Sequence, residues 1–292
     1  MKQKIKKYFK TLFKILKKPE MAILPSNIAF NIILAIIPTL TIIALIASSF
    51  DISITMVEKL ITSIMPEEVS EIIIEVISGK GIDKTVRMSN IIAFILASNG
   101  AYAIITASDT LYKTSNKDNI KKRITSLVII TIIITLLLFL VVVPVFGENI
   151  INLMHKAKIL ENYIDEITIV HNIIKWPFTL LIIYFNIKLI YTIAPSKKIK
   201  SKDTTYGAIF TTIMWIVATI IFKLYLQYFA RYDILYGNLS SIIILLVWCY
   251  VLSYIFVLGL AINATKKESE EFFENTIKIA LTELNSQNTK NQ

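Results

Sequence analysis

The sequence is poor in the residues on which catalytic sites and disulfide scaffolds are built. Its 292 residues include one cysteine, Cys249, so no intramolecular disulfide and no thiolate metal site can form within one chain. Histidine occurs twice, at His155 and His171, with no HxH or HExxH spacing and no Gly-rich phosphate loop among only seven glycines. Asp165 and Glu166 lie near the histidines, which leaves an external metal site open beside the reading of a solvated loop. No Ser, His and acid grouping suggests a nucleophile. No catalytic residue, metal or cofactor is therefore expected. Charge is scarce too, at 18% against about 25% in soluble domains, while hydrophobic residues reach 55% against about 45–50%. That balance excludes a soluble globule, a coiled coil and a disordered chain.

What remains is apolar sequence in long runs. A bilayer core of about 30 Å needs roughly 20 apolar helical residues, and six such runs occur, at 28–50, 89–112, 124–146, 172–194, 206–229 and 239–264. The fold class expected is all-α: a polytopic membrane protein with six transmembrane helices plus amphipathic N-terminal and external interfacial helices. The net charge of +10 sorts across these runs. The segments before residue 28, at 113–123, at 195–205 and from 265 onward hold 21 Lys and Arg; those at 51–88, 147–171 and 230–238 hold seven. Basic residues are retained on the cytoplasmic side. Both termini are thus expected inside a bacterial cytoplasmic membrane, and the basic excess reads as orientation rather than as a nucleic-acid groove.

Three flanking regions have patterns of their own. In residues 1–19, Ile5, Tyr8, Phe9, Leu12, Phe13 and Leu16 recur on one helical face among eight lysines, which suits an amphipathic helix on anionic inner-leaflet lipids. The external segment 51–88 reads as two short helices, the second opened by Pro66, capping the outer mouth of the 20–264 membrane domain or lying in the interface. A poorer helical pattern covers 149–160. The polar tail 265–292 is expected to fray after a short amphipathic helix from Phe272 to Leu284.

AFNIILAIIP at 29–38, DTLY at 109–112, Tyr206-Gly207-Ala208 with Trp215, then Tyr225, Tyr232, Tyr236-Gly237, Trp248 and LGLAINA at 258–264 follow one another in an order and spacing that resembles the YihY family, also called virulence factor BrkB-like proteins. The resemblance implies an inner-membrane bacterial protein of six helices, in a family once labelled ribonuclease. The chain departs from the family pattern at Asp109, where Asn is expected, and at Ala261, where an acidic residue is expected.

Ionisable residues inside spans point to transport paths, because insertion of a charge at the bilayer centre costs about 2.5–3.5 kcal/mol. Asp109 stands four residues before Lys113, which suits an ion pair at the inner surface. Lys188 and Lys223 each lie about 9 Å from a span end, within snorkelling reach, and Lys175 begins the fourth span. The midplane is thus expected to carry no formal charge. Near it lie Asn27, Asn31 and Pro38 in the first span, Asn99 and Gly100 in the second, Tyr184 and Asn186 in the fourth. These serve either interhelical packing or a polar cleft lined by spans one, two, four and five. The expected function is permease-like or lipid-handling, acting on a lipid or amphiphilic solute; a scaffold for envelope machinery is the alternative, and a membrane ribonuclease a third.

Overall fold

The computed structural model describes residues 15–49, 58, 62, 66, 67, 69–71, 74, 87–114, 118–156, 164–228 and 236–290. Six long helices account for most of them: α1 Glu20–Ser49, α2 Arg87–Leu111, α3 Asn119–Lys156, α4 Ile164–Ile193, α5 Thr205–Tyr228 and α6 Ser240–Lys290. Among the described residues there is no strand. Each helix packs on the next in the chain and α6 returns to pack on α1, so the bundle closes in chain order, with α1 and α2 in the most extensive contact.

The helix ends follow from local sequence. Asp118 caps α3, its carboxylate accepting from the Lys121 amide at 3.0 Å. α2 closes with Lys113 in the left-handed region at φ 53°; the Thr114 amide returns to the Asp109 carbonyl and the Lys113 amide to that of Thr110. This is the paired bond of a Schellman cap, with lysine in the place that usually takes glycine. α4 stops before Ala194-Pro195, because the residue preceding proline is pushed out of the α region. Tyr236-Gly237-Asn238 between the fifth and sixth apolar runs reads as a tight turn, and Gly237 has the positive φ, 52°, that such a turn takes.

All six helices stand where spans were expected. Four are long and apolar enough to cross a bilayer, over Ile92–Leu111, Asn119–Phe139, Ser201–Tyr228 and Ser240–Lys266; α1 and α4 contribute the shorter apolar stretches Glu20–Ile36 and Pro177–Ile193 among the described residues. Their outer faces are apolar: Phe30 is 60% exposed, Ile173 64% and Ile221 60%. Such faces belong against lipid rather than water.

Several boundaries differ from expectation. α3 continues to Lys156 and α4 begins at Ile164, so both histidines lie in helices and residues 149–156 extend α3 instead of forming a separate interfacial helix. α6 runs unbroken to Lys290, where a frayed tail after 284 was expected. Its polar extension is rich in good helix formers and contains neither glycine nor proline, so nothing stops the helix at the membrane surface. The N-terminal helix of residues 1–19 lies outside the described residues up to 14. At its end Ile15 is buried at 1% while Leu16, assigned to the apolar face, is exposed.

Two apolar clusters hold the bundle. The larger joins α1, α2, α3, α4 and α6 around Ile28, Ala97, Ile105, Ile129, Tyr191 and Leu260. The second brings Val69 of the external segment, with no exposed surface, against Ala29 of α1, Phe222 of α5 and Trp248 of α6. The rest of 51–88 lies largely outside the described residues. Pro66 accepts from the amides of Val69 and Ser70, as the opening of a helix there demands.

Candidate functional site

The residues expected to form one cleft fall into three places. On α1, Asn31 turns to its own helix: its Nδ2 donates to the Asn27 carbonyl at 2.9 Å and to the Asn27 Oδ1 at 2.8 Å. Gly100 of α2 faces this seam, where a Cβ would stand 3.5 Å from Ala35 Cβ and 3.7 Å from the Asn31 carbonyl oxygen. The seam is closed by ordinary packing. α1 also continues through Pro25 and Pro38 without interruption. Tyr184 and Asn186 sit on α4, whose extensive contacts are with α3 and α5 and not with α1 or α2. The structure therefore does not gather the seven residues into one cleft.

Asn99 faces elsewhere, because successive helical residues point about 100° apart. It shares the stripe of α2 that carries the exposed Ile92, Ile95 and Leu96, and the stripe continues toward the helix end through Tyr102, Thr106 and Thr110. A residue counted with the inner loop meets it there. Arg123, in the first turns of α3, donates from Nη1 to Asn99 Oδ1 at 2.8 Å and from Nη2 to the Ile95 carbonyl at 3.0 Å. Asn99 lies about 18 Å from Leu111 along the axis, comparable with half of a bilayer core of about 30 Å. The sequence reading placed Arg123 with the inner loop and expected no formal charge at this distance from the end of α2. Arg123 was placed by its sequence neighbours Lys121 and Lys122, whereas its side chain extends away from them.

Lys122 takes the opposite course. Its Nζ is 2.8 Å from Asp109 Oδ2, and Asp109 also accepts from the Ser196 amide and hydroxyl at 2.8 Å each. Asp109 is 4% exposed. The ion pair it makes is thus to Lys122, across the α2–α3 connection, and the carboxylate ties the ends of α2, α3 and α4 together. Lys188 does not reach for the near surface: its Nζ lies 5.8 Å from the centre of the Tyr184 ring, one turn back toward the start of α4. Lys223 is exposed. The Oδ1 atom of Asn186 is buried without a partner among the described residues.

A second polar cluster lies at the end of the bundle where α4 finishes and α5 begins. Asn263 of α6 accepts from the Gly207 amide at 2.7 Å and donates to the Thr204 carbonyl at 3.2 Å. Gly259 and Gly207 bring α6 and α5 backbone to backbone, and a Cβ on either would overlap the other's carbonyl oxygen. The hydroxyl of Tyr191 meets Thr211 Oγ1 and donates to the Phe256 carbonyl, both at 2.7 Å. Tyr112, one residue past α2, keeps a buried hydroxyl with no partner among the described residues. Sequence reading quoted Tyr206-Gly207-Ala208 and LGLAINA separately. Their relation, one helix contact, was not readable from either motif alone.

Among the described residues no three His, Cys, Asp or Glu side chains come together to hold a metal ion. The site's chemistry is instead a guanidinium on neutral oxygens beside an apolar, exposed surface.

Residues 13–278 match the family of virulence factor BrkB. The chain belongs to this family. Among its relatives, the ribonuclease-like protein YfkH of Bacillus subtilis is 31% identical over 172 residues, 58% of this chain and 60% of that protein. A Coxiella burnetii membrane protein of the UPF0761 group is 29% identical over 120 residues, covering 38% of this chain and 43% of the relative. A UPF0761 membrane protein of Haemophilus influenzae is 31% identical over 94 residues, 32% of this chain and 35% of its own length. The chain thus spans well under two thirds of each of these relatives. No solved structure matches. The protein is therefore a membrane protein of the BrkB and UPF0761 group, and the ribonuclease-like name belongs to one relative of partial coverage.

Proposed function

We propose that this BrkB-family protein handles an amphiphile, in a permease-like manner, along the groove between α2 and α3. Six helices cross the bacterial cytoplasmic membrane in this reading, with both termini inside, as the 21 to seven sorting of basic residues requires. The observation that carries the proposal is the Arg123 guanidinium held on Asn99 and the Ile95 carbonyl, half-buried among exposed apolar side chains. A polar stripe of Thr110, Thr106, Tyr102 and Asn99 leads from the end of α2 to that cation. The Thr106 and Thr110 hydroxyls donate to carbonyls of their own helix, so a head group on this stripe meets their oxygens as acceptors and the Arg123 guanidinium as the donor, while its tails remain in lipid. A bare ion gains nothing from the apolar flanks, whereas an amphiphile needs both.

The test is transfer of a fluorescent phospholipid or amphiphilic solute between leaflets of proteoliposomes. Wild type is expected to accelerate transfer and Asn99→Leu to abolish the acceleration, while Asn31→Leu, whose side chain bonds only within α1, retains it. Transfer equal to that of empty vesicles would refute the reading.

The scaffold reading draws on one observation, the unbroken α6. At 1.5 Å per residue the stretch beyond Lys266 projects about 36 Å from the membrane domain. A partner that co-purifies with the full chain and is lost on truncation after Lys266 would favour it.

A further inference from the structure

We infer that the α2–α3 groove is a binding site for the phosphate group of an anionic phospholipid, with Arg123 as the residue that recognises it. The inference deepens the proposed function and rests on it. The first argument is charge. Both described partners of the Arg123 guanidinium are neutral oxygens, the Asn99 side-chain amide and the Ile95 carbonyl, the latter already accepting from Ser98 Oγ at 2.7 Å. The positive charge is satisfied in its hydrogen bonds to α2 but is not neutralised by them. Guanidinium carries five donors in a planar fork, of which the two described bonds use two. That fork matches the paired oxygens of a phosphate, and charge-assisted bonds of this kind are about twice as strong as neutral ones.

The second argument is the exposed apolar surface on the two helices that hold the cation. Ile92, Ile95 and Leu96 on α2 and Ile124 and Val128 on α3 are all between 44% and 58% exposed. They present methyl groups to the acyl chains of a lipid whose head lies at Arg123, and a free phosphate would leave them unused. The third is the division of labour between neighbours. Lys122 is committed to Asp109 at 2.8 Å, so it does not compete for the ligand, while Lys121 is exposed at the groove's entrance in the first turn of α3. Asn99 then serves as a positioning residue. Its carbonyl oxygen holds Nη1 so that the guanidinium stays in the groove rather than turning back to the inner surface.

The experiment is native mass spectrometry of the full chain, equilibrated in detergent with equal amounts of phosphatidylglycerol and phosphatidylcholine of the same acyl chains. Wild type is expected to retain phosphatidylglycerol about tenfold over phosphatidylcholine: both carry the phosphate, but in phosphatidylcholine the choline cation neutralises the head group and sets a like charge beside Arg123. Arg123→Gln is expected to bring the ratio to within about twofold of unity, and Arg123→Lys to restore part of it. Asn99→Asp guards against misfolding: it keeps a side-chain oxygen on Arg123 but neutralises the cation internally, and is expected to abolish the preference in a protein that melts as wild type does. Lys198→Gln, an exposed cation outside the groove, is expected to leave the ratio unchanged.

A preference that survives both Arg123→Gln and Asn99→Asp would overturn the inference, as would an equal loss in Lys198→Gln, which would assign it to diffuse surface charge. Displacement of the lipid by millimolar inorganic phosphate would also overturn it, in favour of a small-anion site. If head-group preference fails these tests while Asn99→Leu still abolishes leaflet transfer, the proposed function stands and only the identity of its ligand falls.

Discussion

Replacing Gly207 with alanine tests how the bundle is held at the end where its polar residues collect. A Cβ there would overlap the Gly259 carbonyl oxygen and the side chain of Asn263, which is itself the acceptor for the Gly207 amide. Neither obstacle can swing aside: one is backbone, and the other is 1% exposed and bonded both to Gly207 of α5 and to Thr204 just before that helix. Overpacking of this kind costs about 1–3 kcal/mol. Displacing Asn263 leaves the buried Gly207 amide without its acceptor, which adds about 1–3 kcal/mol. The better helix propensity of alanine returns only about 1 kcal/mol. The net expectation is a loss of about 1–5 kcal/mol. Equilibrium unfolding in mixed micelles, followed by tryptophan emission, measures it, because Trp215 donates from α5 to the Leu252 carbonyl of α6 at 3.0 Å and reports their separation. Gly100→Ala is the matched control: its Cβ meets nothing closer than 3.5 Å, so stability should hold or rise by up to about 1 kcal/mol. A Gly207→Ala protein as stable as wild type, or a Gly100→Ala protein equally damaged, would refute the reasoning.

Other predictions follow from the same geometry. Asp109→Ala strands Lys122, whose side chain is 14% exposed, and is expected to cost about 3–5 kcal/mol in the same assay; Asp109→Ala with Lys122→Met should recover much of the loss. Tyr191→Phe removes a hydroxyl from both Thr211 and the Phe256 carbonyl and is expected to destabilise by about 1–3 kcal/mol. Tyr112→Phe removes a buried hydroxyl without a described partner, so stability should be unchanged or higher by up to about 1 kcal/mol.

Much of the fold was legible because burial in lipid imposes a coarse and strong pattern. Uninterrupted Ile and Leu runs located the six helices, and Gly237 marked its turn. Polar sequence misled where helices outlast the membrane: the stretch after Thr265 carries charges but no breaker, so α6 continues. The site was less legible, for two physical reasons. Asn99 and Gly100 are neighbours in sequence yet a third of a helical turn apart, so one faces lipid-exposed surface and the other the α1 seam. Arg123 and Lys122 were counted together as basic loop residues, although Lys122 reaches Asp109 near the end of α2 while Arg123 reaches Asn99 and Ile95 farther back on that helix. Residue type gave the charge; only the fold gave its depth. A signal did exist in the asparagine at position 99, a side chain that can anchor a guanidinium, placed where a span cannot leave an amide unpaired.

The central claim, that a cation within the membrane meets a lipid phosphate, is tested most directly by nitrogen–phosphorus dipolar dephasing in solid-state NMR. The protein would carry arginine labelled with nitrogen-15, in bilayers of phosphatidylglycerol and phosphatidylcholine, with Arg123→Lys supplying the difference spectrum. The account predicts strong dephasing of the Arg123 guanidinium by phosphorus, lost in Asn99→Asp. An Arg123 signal that phosphorus does not dephase in phosphatidylglycerol bilayers would contradict it.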